Sequence, residues 1–176
     1  MNPHQKIEVL ITGDAITQRV ATLAEEIAQN MPPDIMIISL LRGSFVFTAD
    51  LIRALHFCGV RPQVDFMTLA SYGNGTTSNG NVQIIRDIVG EVRNRDVLLV
   101  DDILESGNTL TFAKNLINER GAANTKIAVM LEKPNKLQTK IAADFIGFTI
   151  PDKFVVGYGL DYSNYYRELP FIGTID

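Results

Sequence analysis

The run from Val97 to Leu110 holds the side chains best suited to chemistry in this chain, and it reads VLLVDDILESGNTL. Its four leading apolar residues are typical of a strand buried on both faces. Asp101 and Asp102 follow, and a Ser-Gly-Asn-Thr turn then opens a helical pattern. A helix N-terminus suits a phosphate, whereas carboxylates repel one and should face hydroxyl groups or a cation. The run therefore predicts a ligand with both a phosphate and a polyol, such as a sugar phosphate or a nucleotide.

Two familiar phosphate-binding motifs are absent from this run. It has no Gly-Lys-Ser/Thr, which excludes a P-loop, and no G-x-G-x-x-G, which excludes a dinucleotide fingerprint. A purely structural interpretation stays open, in which a strand leads to a helix capped by Ser106 or Thr109. Paired carboxylates at the end of a buried strand argue against it, because burying charge without a function is costly.

Strands and helices must alternate to position these side chains. Continuous apolar runs predict strands, and apolar residues at 3.6-residue spacing predict helices between them. The predicted strands span 8–11, 35–41, 64–70, 82–86, 97–100, 127–131, 145–150 and 154–158. The predicted helices span 16–31, 45–55 and 110–120. This alternation predicts a single α/β domain over 1–176, with a mainly parallel central sheet flanked by helices.

Polar residues follow three of the predicted strands. Arg42 and Gly43 follow one, Asp101 and Asp102 another, and Lys133 a third. Because open parallel sheets bind ligands at the carboxyl ends of their strands, we expect one site assembled from several loops. Taken alone, Arg42-Gly43 fits either a simple turn or a close backbone approach to an anion. Lys133 taken alone fits a solvated lysine equally well.

The stretch from 71 to 81, SYGNGTTSNGN, has almost nothing to bury. Its length and glycine content favour a flexible lid. The apolar residues from 82 to 86 then predict the returning strand of a β-ribbon. We therefore expect a β-ribbon lid beside the site.

Composition limits the classes of function. Hydrophobic residues make up 46% and charged residues 20% of the 176 positions, as in ordinary globular proteins. The net charge of −4 gives no basic footprint for nucleic acid. A single cysteine, Cys58, fits a reducing compartment, and no stretch resembles a signal peptide or a membrane span. We expect a cytoplasmic protein without nucleic-acid or membrane partners.

With these residues in view, the chain resembles the type I phosphoribosyltransferases, and more narrowly the hypoxanthine (hypoxanthine-guanine) phosphoribosyltransferases. The 97–110 run resembles the signature that binds phosphoribosyl pyrophosphate. Leu41–Ser44 resembles the pyrophosphate loop of that family, and Ser71-Tyr72 resembles the start of its catalytic lid. Lys133 matches its base-recognition lysine. The stretch Pro151–Tyr162, with Arg167 beyond, resembles its purine-binding stretch.

The resemblance implies purine salvage. The reaction would be Mg²⁺-dependent transfer of a phosphoribosyl group from phosphoribosyl pyrophosphate to N9 of hypoxanthine or guanine, giving IMP or GMP and pyrophosphate. The implied fold adds a small hood from the terminal segments, and the implied assembly is a homodimer or homotetramer. A transferase preferring xanthine or guanine stays open. A nucleotide-sensing regulator that binds nucleic acid is a different class, and the acidic charge balance disfavours it.

The resemblance also assigns the sugar phosphate and the metal. Asp101 and Asp102 would hold the ribose hydroxyls, directly or through water and Mg²⁺, and Asp161 would ligate a second Mg²⁺. The groups implied for the 5′-phosphate are Ser106, Gly107, Asn108 and Thr109. Those implied for pyrophosphate are Arg42, beside Gly43, and Arg167.

The base is assigned in the same way. By resemblance Phe154 stacks on the purine, although in a Phe-Val-Val run it fits a core residue better on composition alone. Backbone groups near Val155 and Asp161 would read the purine edge, and Lys133 would donate to the exocyclic O6. This donor favours a 6-oxopurine over adenine, whose 6-amino group is itself a donor.

Glu105 departs from the family pattern. It occupies the position of a third acid that is usually Asp, and by resemblance exchanges a proton with purine N7. Its carboxyl group reaches about 1.5 Å further than that of Asp, the length of one C–C bond. Glu performs the same acid–base chemistry, so Glu105 is the predicted catalytic residue.

Overall fold

The computed structural model describes residues 6–71 and 82–175. Within them the chain forms strands and helices in an alternating order. The strands are β1 (Ile7–Ile11), β2 (Met36–Leu41), β3 (Gln63–Ser71), β4 (Val82–Arg86), β5 (Asp96–Leu104), β6 (Asn124–Glu132), β7 (Phe145–Thr149), β8 (Val155–Val156) and β9 (Ile172–Ile175). The helices are α1 (Gly13–Asn30), α2 (Phe45–Phe57) and α3 (Asn108–Glu119), with a 3₁₀ turn at Pro134–Lys136.

Six strands form the central sheet in the order β4-β3-β2-β5-β6-β7. Neighbouring strands are parallel except for β3 and β4, which pair antiparallel as a ribbon. The predicted mainly parallel sheet is therefore confirmed. Strand β5 lies between β2 and β6, so the carboxyl ends of these three strands meet at one edge.

Strand β5 is buried on both faces, as its apolar run predicts. Leu98 and Val100 pack in the cluster that contains α1 and α2. Val97 and Leu99 point the other way, into the cluster that contains α3. Helices thus cover both faces of the sheet. No helix among the described residues is long and apolar enough to span a membrane.

Strands β1, β9 and β8 form a second, antiparallel sheet from both ends of the described chain. The predicted strand over 154–158 is wrong in length, because β8 contains two residues only. Gly157 and Gly159 follow it with φ values of 94° and 99°, which turn the chain out of extended geometry. The role of this sheet as a hood stays a prediction.

Strand β5 is longer than the predicted 97–100. It continues through Leu104 because its backbone keeps pairing with β6 as far as Glu132. Asp101 and Asp102 therefore lie within the paired part of β5 and not beyond its end. The predicted lid begins at the end of β3, and residues 72–81, with Tyr72, lie outside the described residues.

Candidate active site

Two adjoining clefts, of about 450 and 470 Å³, open at the carboxyl ends of β2, β5 and β6. Their shared wall includes Arg42, Gly43, Asp102 and Glu105. The first cleft is also lined by residues predicted to hold the sugar phosphate, namely Asp101, Ser106, Gly107 and Thr109. The second is lined by residues predicted to act on the base and pyrophosphate, namely Lys133, Phe154, Val155, Asp161 and Arg167. The fold thus brings these predicted residues into one composite site, whereas Asn108 lines neither cleft and Tyr72 lies outside the described residues.

The turn between β5 and α3 has the geometry of a phosphate cradle. Gly107 precedes the helix with φ 81°, a conformation that side-chain-bearing residues rarely adopt. The predicted cap at Ser106 or Thr109 is wrong, because Gly107 holds the cap position and no side chain of the described residues caps the helix. Ser106 Oγ instead accepts a hydrogen bond from the Asn108 amide, at 3.3 Å. Because the cap residue Gly107 has no side chain to accept from the next amides, those of Thr109 and Leu110 suit an anion.

A neighbouring loop fixes this cradle from behind. Gln138 donates its backbone N–H to Ser106 O at 2.9 Å. A methyl group on Gly107 would overlap the Thr139 hydroxyl and lie 2.6 Å from Ile141 Cγ2. Glycine is therefore required here by both backbone conformation and space.

Asp101 and Asp102 lie partly buried at the end of β5. The Asp102 amide donates to Asp101 Oδ1 at 3.0 Å. Burial raises the pKa of both carboxyl groups, and the charge of Asp102 raises the pKa of Asp101 further. A cation or a set of hydroxyl donors would relieve this strain between like charges.

The loop after β2 lies directly on the acid pair. The Leu41–Arg42 peptide bond is cis, and the Arg42 side chain is exposed at the lip of both clefts. A methyl group on Gly43 would overlap Asp102 Oδ2 and lie 2.6 Å from Asp102 Cγ. Arg42 and Gly43 lie in a turn, across which the Phe45 amide donates to Arg42 O at 3.3 Å. The approach of this backbone to a bound anion stays a prediction.

Lys133 projects into the second cleft from the end of β6. Its amide donates to Leu104 O at 2.9 Å, which fixes it beside β5. Its side chain is only 6% exposed, so the solvated interpretation is wrong. Its ammonium donates to Glu105 Oε1 at 3.2 Å. The groups predicted to read O6 and N7 of a purine are thus hydrogen-bonded to each other.

Phe154 is 52% exposed, so the interpretation of it as a core residue is wrong. Its ring meets Tyr162 edge-on, with centroids 5.6 Å apart and planes at 83°. Val155 beside it is buried in the apolar core. The exposed ring lines the second cleft.

Asp161 and Arg167 form an ion pair, with Oδ1 and a guanidinium nitrogen 2.7 Å apart. Asp161 Oδ2 accepts from the Asn164 amide at 2.8 Å, and Arg167 also donates to Gly159 O at 2.6 Å. A methyl group on Gly159 would overlap Gly43 O. The loop that carries Phe154 and Asp161 therefore packs tightly on the loop after β2.

The predicted metal ligands fit Mg²⁺ only together with substrate. The described residues contain no group of three or more His, Cys, Asp or Glu side chains that would hold a metal alone. Mg²⁺ prefers oxygen donors, keeps several waters, and binds through one or two carboxylates plus substrate phosphates. Asp101 and Asp102 line the cleft that contains the phosphate cradle, and Asp161 lines the adjoining cleft. This donor chemistry suits Mg²⁺ delivered with a phosphorylated ligand.

Two charged residues of this region escape prediction from the sequence. Lys136 lines the first cleft, and its ammonium lies 2.9 Å from Asp152 Oδ2. Asp152 Oδ1 in turn lies 4.0 Å from Lys133 Nζ. The spacing of Lys136 three residues after Lys133 could have suggested proximity to the site. Nothing in the sequence pairs Asp152 with either lysine.

Comparison with known proteins agrees with this geometry. A phosphoribosyl transferase domain model matches residues 9–163. The chain is 41% identical to the hypoxanthine phosphoribosyltransferase of Escherichia coli K12, over 96% of this chain and 95% of that protein. It is also 41% identical to the hypoxanthine-guanine phosphoribosyltransferase of Bacillus subtilis 168, over 99% of this chain and 96% of that protein.

A solved structure shows the same relationship in three dimensions. The crystal structure of a hypoxanthine phosphoribosyltransferase from Staphylococcus aureus superposes with a TM-score of 0.90 at 39% identity, covering 96% of this chain and 91% of that one. The chain belongs to the phosphoribosyltransferase family. Within that family, its similarity is to the hypoxanthine and hypoxanthine-guanine members.

Proposed function

We propose that this protein is a purine-salvage enzyme. It transfers the phosphoribosyl group of phosphoribosyl pyrophosphate to N9 of hypoxanthine or guanine, giving IMP or GMP and pyrophosphate, with Mg²⁺ as its metal. The observation that carries the proposal is the pair of clefts that meet at Asp102 and Glu105. One has the chemistry of a sugar-phosphate site and the other that of a 6-oxopurine site. The activities named for the full-length relatives support it.

The first cleft suits the phosphoribosyl group. The amides at the start of α3, with Ser106 and Thr109, would hold the 5′-phosphate. Asn108 is the first helical residue, and it would join the cradle although its amide donates to Ser106 Oγ. The carboxylates of Asp101 and Asp102 would accept hydrogen bonds from the ribose hydroxyls.

The second cleft suits a 6-oxopurine. Phe154 offers an aromatic face for stacking. The Lys133 ammonium only donates hydrogen bonds, so it complements the carbonyl oxygen of hypoxanthine or guanine and opposes the amino group of adenine. Backbone groups near Val155 and Asp161 would read the remaining edge of the ring.

The leaving pyrophosphate would face a cationic wall. As its bond to C1′ loosens, positive charge develops on the ribose and negative charge on the leaving group. Arg42 lines both clefts and Arg167 lines the second. Both guanidinium groups would stabilise that negative charge. Mg²⁺, when bound by Asp161 and the acid pair, supplies further neutralisation of the pyrophosphate.

Glu105 would act as the proton acceptor. Its carboxyl group lies where the clefts meet, and its side chain is 45% exposed. As the N9 lone pair forms the bond to C1′, the N7 proton would pass to Glu105. Water must be kept from the ribosyl cation meanwhile, and closure of the lid at 71–81, with Ser71 and Tyr72, is the expected means.

The remaining proposals concern organisation. The chain would function as one domain over 1–176, assembled into a homodimer or homotetramer in the cytoplasm, with small molecules as its only substrates. Near full-length coverage of the relatives supports the single domain.

Nucleotide formation tests the proposal directly. The protein is incubated with phosphoribosyl pyrophosphate, hypoxanthine and Mg²⁺, and IMP is quantified by chromatography, with a chelator-treated sample as control. We expect IMP and pyrophosphate in equal amounts, and loss of both with chelator. Absence of any nucleotide with hypoxanthine, guanine or xanthine would contradict the proposal.

A further inference from the structure

Lys133 has two acidic neighbours on different structural elements. Its Nζ lies 3.2 Å from Glu105 Oε1 and 4.0 Å from Asp152 Oδ1. No other carboxylate of the described residues lies within 4.0 Å of this ammonium. Glu105 follows β5, whereas Asp152 belongs to the loop between β7 and β8. Because the lysine side chain is only 6% exposed, its charge needs a partner at every stage.

Glu105 cannot remain that partner throughout the proposed reaction. Its carboxylate must turn toward N7 of the base, and it becomes neutral once it has taken up the N7 proton. Lys133 meanwhile redirects a hydrogen bond to O6. A neutral Glu105 would leave the buried ammonium without a counterion unless a second carboxylate balances it.

Asp152 is held in the orientation that this task requires. Lys136 Nζ lies 2.9 Å from Asp152 Oδ2, which leaves Oδ1 directed at Lys133. The hydrogen bond to Asp152 and its negative charge raise the pKa of Lys136. Among the charged side chains that line the base cleft, Arg42 and Arg167 are cations and cannot balance Lys133. Asp161 of the same cleft already pairs with Arg167. Asp152 lies 49% exposed outside that set.

We propose that Asp152 is the standing counterion of Lys133 and acts as a positioning residue for base recognition. It keeps the ammonium directed into the base cleft while Glu105 engages the base. The inference rests on the proposed function, and it assigns a role to a residue that lines neither cleft.

Kinetics of Asp152→Asn provide the first test. The KM for hypoxanthine should rise about fivefold, which is the change in binding expected when a partly exposed ion pair is lost. The KM for phosphoribosyl pyrophosphate should stay within about twofold, because Asp152 reaches the sugar-phosphate cleft only through its exposed ion pair with Lys136, which solvent screens. Asp152→Glu, which retains the charge, should restore the KM for hypoxanthine. An unchanged KM for hypoxanthine in Asp152→Asn would overturn the inference while leaving the proposed function intact.

A double-mutant cycle separates this role from a structural one. The dissociation constant of IMP is measured by calorimetry for the wild type, Asp152→Asn, Lys133→Met and the double variant, so that no variant needs to be active. Asp152→Asn should weaken IMP binding about fivefold in the wild type and by less than about twofold when Lys133 is absent. An equal loss in both backgrounds would show that Asp152 acts independently of Lys133 and would overturn the inference.

Discussion

Gly43 and Asp102 are packed so closely that a single methyl group on Gly43 would overlap the Asp102 carboxylate. This contact joins the loop after β2 to the acid pair at the end of β5. It places the backbone beside Arg42 within reach of whatever the acid pair holds. Both clefts share this contact as part of their wall.

Replacing Gly43 with alanine should therefore impair catalysis more than stability. The methyl group would displace Asp102, and a misplacement of about 1 Å in a catalytic site can cost about 10²-fold in rate. We expect kcat/KM for phosphoribosyl pyrophosphate to fall by about that factor. Initial-rate kinetics together with a thermal unfolding curve make the measurement.

Gly59→Ala is the matched control. Gly59 has φ 81° and nothing within 4 Å of the added methyl group. The substitution should cost about 1–2 kcal/mol of stability through the left-handed backbone and leave kcat/KM unchanged. Gly43→Ala with kinetics like those of Gly59→Ala would show that the contact with Asp102 is unimportant.

Glu105 is predicted to be the acid–base residue. Glu105→Gln should reduce kcat by about 10²–10⁴-fold, the usual contribution of a lost acid–base group. Binding of phosphoribosyl pyrophosphate should persist, because Glu105 does not belong to the phosphate cradle. Glu105→Asp keeps the carboxyl group but withdraws it by about 1.5 Å, so its loss should be far smaller. Similar activity in the Gln variant and the wild type would remove Glu105 from this role.

Asp101 should reveal a trade-off between stability and function. Its pKa in the folded protein lies well above the usual 3.8, because of burial and the charge of Asp102. The folded state therefore binds a proton more readily than the unfolded state, and this group's destabilisation grows as pH rises from about 3.8 through the raised pKa.

Asp101→Asn should remove that penalty. The amide oxygen can still accept the hydrogen bond from the Asp102 amide. With chelator present, we expect a higher Tm at pH 7, by about 2–4 °C for each kcal/mol gained, and a smaller difference from wild type near pH 4. Weaker binding of phosphoribosyl pyrophosphate should accompany it. If Asp101→Asn raised the Tm over wild type by less at pH 7 than near pH 4, the assignment of this destabilisation to Asp101 would be contradicted.

The sequence predicts the elements whose signals are local. The apolar run at 97–100 indicated a doubly buried strand, and the residues that follow β2, β5 and β6 indicated a site at the sheet edge. Parallel pairing then brought Arg42, Asp102 and Lys133 together, as the rule for such sheets requires. The alternation of strands and helices was sufficient for the fold class.

Features that depend on distant partners could not be predicted in this way. Strand β5 extends to Leu104 because β6 pairs with it, although its last residues include two acids. The Lys133–Glu105 hydrogen bond joins residues 28 positions apart. Asp152, in the loop between β7 and β8, pairs with Lys133 after β6 and with Lys136 in the 3₁₀ turn. Strand β9 has no periodic signal of its own and forms by pairing with β1 and β8.

The central claim is that one site combines a phosphoribosyl donor with a 6-oxopurine read by Lys133. Its most direct test is a panel of bases, with hypoxanthine, guanine, xanthine and adenine each supplied at saturating phosphoribosyl pyrophosphate and Mg²⁺. We predict nucleotide formation from hypoxanthine or guanine with kcat/KM at least about 10²-fold above adenine, because adenine would oppose a donor with a donor. Adenine used as well as hypoxanthine, or no nucleotide from any 6-oxopurine, would contradict the account.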